Sequence, residues 1–213
     1  MIVYQNANDA YVNTLEKINK YGTVFNNTQA LFNHGFCILN PLDNLITDTN
    51  RKWSKSYADL EWDWYLSKDP NVYNLAKTAK LWLKHCDTNG NVNSNYGAQI
   101  NRSNQIDYII NKLRLDRNTR QAWLTIYDCK DFNDSPFTCN GFEKDTPCTL
   151  NIGFQYYNDE LNMTVLMRSN DIKFGFCNDQ YCFSKLLEYV AKELDFKIGT
   201  YYHYSANMHN YIK

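Results

Sequence analysis

The sequence predicts an α+β fold, a mixed β-sheet flanked by helices, in one domain spanning residues 1–213. Three observations carry this expectation. Helical stretches precede and interrupt the β-rich runs instead of alternating with them one for one, which argues against a regular βαβ architecture. Two adjacent β-rich runs flank Asn158-Asp159, a dipeptide that tolerates the left-handed backbone of a tight hairpin turn. No internal repeat, low-complexity run or Gly/Ser/Pro-rich linker divides the 213 residues, a length ample for one sizeable core.

Taken in order, residues 9–20 place Tyr11, Leu15 and Ile18 on one stripe and stop at Gly22, so they are predicted helical. Residues 30–39 read as a strand ended by Pro41. Residues 57–66 and 72–83 read as two helices broken by Asp69-Pro70-Asn71, with Pro70 near the second start. Residues 106–115 form another amphipathic helix and residues 122–127 a strand. Residues 150–157 and 161–167 are the arms of the hairpin. Residues 179–194 carry Phe183, Leu186, Leu187, Val190 and Leu194 on one side of a helix that begins near Asp179, and residues 197–204 supply a closing strand.

Hydrophobic residues at 44% and aromatics at 15% mark a globular chain rather than a disordered one. With 22 Lys+Arg against 23 Asp+Glu, the net charge is −1 and the basic residues are scattered. There is no electrostatic footprint for nucleic acid or an anionic membrane, so any anion site must be local. No stretch has the length of a membrane span, and the N-terminus lacks a basic-then-apolar signal, so a cytoplasmic protein is expected. The seven cysteines (37, 86, 129, 139, 148, 177 and 182) are odd in number, irregularly spaced and without a CxxC pair, and are expected as reduced thiols. His203 and His209 match no common zinc spacing, and no metal is expected.

Cys148 is the most informative residue because of its company. It lies in Asp145-Thr146-Pro147-Cys148-Thr149; beyond the hairpin come Met167-Arg168-Ser169-Asn170-Asp171 and then Phe174-Gly175-Phe176-Cys177-Asn178-Asp179. A cysteine nucleophile, an arginine-serine pair suited to a phosphate and two spaced aspartates point to pyrimidine-nucleotide chemistry. Position 5 of a pyrimidine is a poor nucleophile; a thiolate adding at C6 makes the ring enamine-like and nucleophilic at C5. Nearby cations raise the thiolate fraction of the attacking sulfur. Plain structural roles stand beside these. Cys148 would serve as a small buried residue, Trp82 as core, Glu61 as a solvated helix face, Arg168 as half of an ion pair, Tyr96-Gly97 as a turn and Asp179 as a helix N-cap.

The order of these motifs resembles the thymidylate synthase family, and Asp179 looks like its cytosine-using branch, the phage dCMP hydroxymethylases. Further blocks across residues 57–211 fall in the same order: Glu61-Trp62-Asp63-Trp64-Tyr65-Leu66 with Asn71, Trp82 followed by Asn89-Gly90, Asn93-Ser94-Asn95-Tyr96-Gly97, Asp116-Arg117-Asn118-Thr119-Arg120, and His209-Asn210-Tyr211. The resemblance implies a thymidylate-synthase-like fold, a homodimer with shared active sites, dCMP as substrate and 5,10-methylenetetrahydrofolate as one-carbon donor. It implies Cys148 as the C6 nucleophile, with Arg168 and Ser169 on the 5′-phosphate and Arg120 reaching that phosphate from the partner subunit. His209 and Tyr211 would bind the ribose 3′-hydroxyl. Glu61 and Tyr96 would organise water and proton transfer, and Trp82, Asp171 and Gly175 would lie at the folate. Asp179 would read the base, because a carboxylate accepts from the cytosine amino group, whereas uracil O4 would meet it acceptor to acceptor.

The pattern also departs from the family. Thr149 follows the nucleophile where uracil-using members carry histidine, as in the phage hydroxymethylase. Gln121 replaces a second arginine, Gly153 stands where glutamine is usual, and Arg51 matches a folate-side lysine only loosely. The sequence stops two residues after Tyr211, where the resemblance implies a longer tail closing over the folate. A short C-terminus is expected to leave a wetter site, favouring capture by water over hydride. Two further readings stay open: a divergent thymidylate synthase or other pyrimidine C5-methylating enzyme, and an inactive nucleotide-binding homologue.

Overall fold

A computed structural model describes residues 1–127 and 145–212; Cys129 and Cys139 lie outside them. The chain runs β1 (Ile2–Tyr4), α1 (Ala7–Tyr21), β2 (Thr23–Phe25), β3 (Thr28–Ile38), α2 (Lys55–Ser67), α3 (Tyr73–Ala76), a 3₁₀ turn (Lys80–Lys84), α4 (Tyr96–Asn101), a second 3₁₀ turn (Arg102–Asn104) and α5 (Gln105–Leu115). It continues through β4 (Trp123–Thr125), β5 (Thr149–Tyr157), β6 (Glu160–Met167), β7 (Asn170–Asp171), α6 (Phe176–Leu194) and β8 (Ile198–Tyr211). Among the described residues the strands form one sheet in the order β1-β3-β8-β6-β5-β4, with β2 added to β3 and β7 to β8. β8 runs antiparallel to β3 but parallel to β6, so the sheet is mixed. The α+β expectation holds.

Local chemistry explains most boundaries. Asn6 caps α1 by accepting from the Asp9 N–H at 2.8 Å, and Ser54 caps α2 by accepting from that of Tyr57 at 3.2 Å; such caps contribute about 1 kcal/mol each. The β5–β6 turn places Asn158 at φ 55° and Asp159 at φ 60°, the paired left-handed residues of a type I′ hairpin. α6 is a central helix: it packs on α1, α2 and α5 as well as on β6 and β8. Its first half is therefore buried on nearly every side, from Phe176 through Leu187, rather than along the single stripe predicted. Fully buried Phe183 and Leu187 each contribute roughly 1.5–3 kcal/mol of apolar burial.

Three expectations need correction. Residues 72–83 are not one helix but α3 followed by the 3₁₀ turn: the Thr78 and Ala79 N–H groups both return to Leu75 O, and Ala79 then leaves the helical region at φ −123°, ψ 84°. α6 begins three residues before Asp179, at Phe176, and its Gly175 N-cap makes no side-chain cap hydrogen bond, so Asp179 is a first-turn residue and not the cap. β8 extends to Tyr211 rather than ending at Tyr204, held by a ten-pair register with β3. The short strands β1, β2 and β7 were not predicted. Among the described residues no helix is long and apolar enough to cross a membrane.

Candidate active site

The β5–β6 hairpin joins two motifs that lie twenty residues apart. Thr149 pairs with Met167, and the Arg168 N–H donates to Cys148 O at 2.8 Å. A register shift between Thr149 and Asn151 marks a bulge beside the cysteine, a common device for re-aiming a side chain. The Arg168 guanidinium then clamps the segment before the strand: Nε donates to Pro147 O at 3.0 Å and Nη2 to Thr146 O at 2.7 Å. The same Nη2 lies 3.6 Å from Cys148 Sγ. Arg168 is thus both scaffold and local cation, and it remains exposed for a further anion.

Cys148 is half-buried, and burial pushes its thiol up to about 11; Arg168 draws it down, while Asp179 and Asp145 add to the rise. The expected cation is present, yet burial outweighs it, so the resting group is a thiol rather than a thiolate. Behind the sulfur, buried Asp145 accepts from the N–H and hydroxyl of Ser94, and its carbonyl accepts from Asn93 Nδ2 at 3.1 Å. This anchors the loop leading to Tyr96. The Tyr96 hydroxyl accepts from the Thr149 N–H at 3.4 Å, its ring stacks on Phe183 and meets the edge of Tyr65. Gly97 is required here, because a Cβ would overlap Tyr65 O.

The other side of the site is acidic. Glu61 on α2 is 5% exposed, and burial raises its carboxyl to about 8, with Asp179 adding and a hydrogen bond from Tyr57 opposing. Asp179 is raised to about 6, again by burial, opposed by the Asn170 amide and assisted by Asp171. Asn170 Nδ2 donates to Asp179 Oδ2 at 2.7 Å. The Tyr57 hydroxyl accepts from Trp82 Nε1 at 2.8 Å, completing a chain from Trp82 through Tyr57 to Glu61. Tyr57 was missed by the sequence reading, although its place one helical turn before Glu61 is a legible (i, i+4) signal.

A family model described as thymidylate synthase matches residues 9–213. The chain belongs to the thymidylate synthase family. Members of this family transfer one carbon to pyrimidine nucleotides. The deoxyuridylate hydroxymethyltransferase of Bacillus phage SP01 is 31% identical over 163 residues, covering 70% of this chain and 41% of that protein. The deoxycytidylate 5-hydroxymethyltransferase of Enterobacteria phage T4 is 28% identical over 171 residues, covering 72% and 68%. The thymidylate synthase of Bacillus licheniformis is 22% identical over 179 residues, covering 79% and 61%. Several relatives are thus matched over only two-fifths to three-fifths of their own length.

Within this thymidylate synthase fold the predicted residues mostly converge. β7 pairs Asp171 with His209 on β8, and the His209 ring lies edge-on to Tyr211 at 5.4 Å, with Nδ1 3.0 Å from Asn207 Oδ1. Ser169 is half-buried between Arg168 and Asn170. Arg120 is different: it is exposed on the turn after α5. Gly153 faces the Trp123 ring, which a Cβ would meet at 2.6 Å, so the indole takes the space that a side chain would need.

The residues present also fit a folate. Asp171 Oδ1 accepts from the Lys173 and Phe174 N–H groups at 2.7 and 3.0 Å, leaving its second oxygen for the N–H donors of a pterin. The Arg51 guanidinium donates to Lys173 O at 2.6 Å and lies 5.4 Å from the centre of the exposed Phe174 ring. That ring and Trp82 offer flat apolar surface to a planar heterocycle. Among the described residues no group of three or more His, Cys, Asp or Glu is placed to hold a metal ion.

Proposed function

We propose that this chain is a deoxycytidylate 5-hydroxymethyltransferase that converts dCMP to 5-hydroxymethyl-dCMP. The observation that supports this best is the half-buried Asp179 carboxyl, half-protonated near pH 6 and held by an amide donor. Neutral cytosine presents an amino donor at C4 and an acceptor at N3. Asp179 and the base together therefore need one proton between them, and a carboxyl with a raised pKa retains it.

Arg168 and Ser169 bind the 5′-phosphate, with Arg120 contributed across a homodimer, and His209 and Tyr211 hold the ribose. The phosphate dianion is held beside Arg168 while the Cys148 thiol gives up its proton and Sγ bonds to C6, sending the electron pair to C5. Bound against Trp82, Asp171 and the Gly175 turn, 5,10-methylenetetrahydrofolate supplies the one-carbon unit that becomes attached at C5. Water ordered by Glu61 and Tyr96 takes the C5 proton; the C5–H electron pair forms an exocyclic double bond as the C–N bond to the carrier breaks, and that bond's electron pair leaves with tetrahydrofolate. Glu61, protonated at neutral pH, then orients the water whose oxygen bonds to the exocyclic carbon. The electron pair returns through the ring and expels the Cys148 thiolate from C6. The name of the Bacillus phage relative favours a dUMP-using variant of the same chemistry; Asp179 argues against it.

Release of tritium from C5 of labelled dCMP tests the mechanism before any transfer occurs. Exchange is expected in the wild type and absent in Cys148→Ala; exchange that survives the substitution contradicts nucleophilic addition. Mixing inactive Arg120→Ala and Cys148→Ala proteins is expected to restore activity, since one site of the heterodimer regains both groups. Subunit exchange without recovery rules out a shared site.

A further inference from the structure

We infer that Asn170 is a specificity-determining positioning residue, whose amide fixes which oxygen of Asp179 can carry the proton shared with the base. Three observations on the structure support it. Asn170 is 3% exposed and its Nδ2 donates to Asp179 Oδ2 at 2.7 Å. Among the described residues its Oδ1 is buried without a donor, so the side chain is spent on Asp179 and on nothing else in the fold. Gly175 leaves the room for the pair: a Cβ there would stand 2.9 Å from Asn170 Nδ2 and 3.2 Å from Asp179 Oδ2.

The consequence is chemical. A protonated carboxyl has one donor oxygen and one acceptor oxygen, and turned either way it can pair with cytosine or with uracil. A fixed amide N–H pointing at Oδ2 makes that oxygen the acceptor and leaves Oδ1 to carry the proton. The two bases present their donor and acceptor in opposite order, so locking the carboxyl admits one and opposes the other. The other groups around Asp179 cannot perform this task. Those coupled to it electrostatically are Glu61 and Tyr65 on α2, Tyr96 on α4, Cys148 before β5, Asp171 on β7, Tyr201 on β8, and Cys177 and Cys182 on its own helix. All are acids: Asp171 raises the Asp179 carboxyl by its charge, the others are themselves raised by Asp179, and none of these charge effects distinguishes its two oxygens. Among the described residues the Asn170 amide alone is a side-chain donor to it.

This inference rests on the dCMP reading. The test is kcat/KM for dCMP and dUMP across pH 5–9 in the wild type and in isosteric Asn170→Leu, with thermal unfolding to confirm the fold; Asn170→Ala carries the same comparison if the leucine variant does not fold. The expected result is a dCMP/dUMP ratio lowered by at least about tenfold. The limb of the dCMP profile set by Asp179 is also expected to move to higher pH, because the lost N–H had favoured the carboxylate. A folded variant that keeps the ratio within about twofold, or that loses both substrates equally with the limb unmoved, overturns the inference while leaving the dCMP reading intact. A wild type that prefers dUMP overturns both, and shows itself before any variant is made.

Discussion

Around Cys148 a guanidinium stands 3.6 Å from a half-buried sulfur, whereas the charge of Asp179 adds to the rise of Glu61, and among the described residues a phenol and an amide are the side-chain donors beside the two carboxyls. Burial acts on both regions, pushing the thiol to about 11 and the carboxyls to about 8 and about 6. Among the described residues only the sulfur end has a cation to oppose it. The difference teaches a division of labour. On the proposed reading one end receives negative charge, first the substrate's phosphate and then the protein's own thiolate. On the same reading the other keeps Glu61 protonated at neutral pH and Asp179 titrating near pH 6, so that protons are shared with water and with a base.

The contrast breaks most completely at the sulfur. Cys148→Ala is expected to lower C5 exchange by 10⁴-fold or more, on the order of what removing a covalent nucleophile costs, while dCMP affinity stays within about tenfold. Single-turnover exchange and equilibrium binding on the same preparation give the answer. Arg168→Lys sharpens the same end. It keeps the charge but loses the planar fork that holds Thr146 O and Pro147 O, so kcat/KM is expected to fall roughly 10²-fold. Full activity in the lysine variant would show that charge alone matters and the clamp does not.

The acidic end is tested by stability. Glu61 has a folded value near 8 against an ordinary 4.5. Its protonated form is the favoured one in the fold, so its contribution is fully present below about pH 4.5 and is lost as pH rises towards 8. Glu61→Gln is therefore expected to raise stability by roughly 1–3 kcal/mol at pH 8 and hardly at all at pH 4.5, while abolishing turnover. Thermal unfolding at the two pH values measures it. An equal change at both would mean that Glu61 is not buried as an acid.

The same two ends differ in how far the sequence discloses them. Cys148 and Arg168 meet because a type I′ hairpin has a register fixed by its turn, and Asn158-Asp159 announces that turn. Helices α2, α5 and α6 were equally legible from their apolar spacing. The acidic end is assembled by tertiary contacts that leave no period in the chain. Asn170 meets Asp179 across a two-residue strand and a glycine turn, and Tyr57 meets Trp82 only because residues 72–83 break from the helix their composition favours. The break comes at Ala79, where the backbone leaves the helical region at φ −123°, ψ 84°, a tertiary outcome that local propensity does not foretell. Strands of two or three residues, such as β7 and β2, are too short for alternation to register.

The claim that joins the two ends is that a family nucleophile acts on a base read by Asp179. Its most direct test offers dCMP and dUMP in equal amount with 5,10-methylenetetrahydrofolate, to wild type and to Asp179→Asn, and reads product masses over time. Wild type is expected to consume dCMP and release 5-hydroxymethyl-dCMP. The asparagine variant, which gains a donor for O4 and keeps an acceptor for N3–H, is expected to shift the dCMP/dUMP ratio of kcat/KM towards dUMP by at least about 10²-fold. A wild type that consumes dUMP first, or a ratio that Asp179→Asn leaves unmoved, contradicts the account.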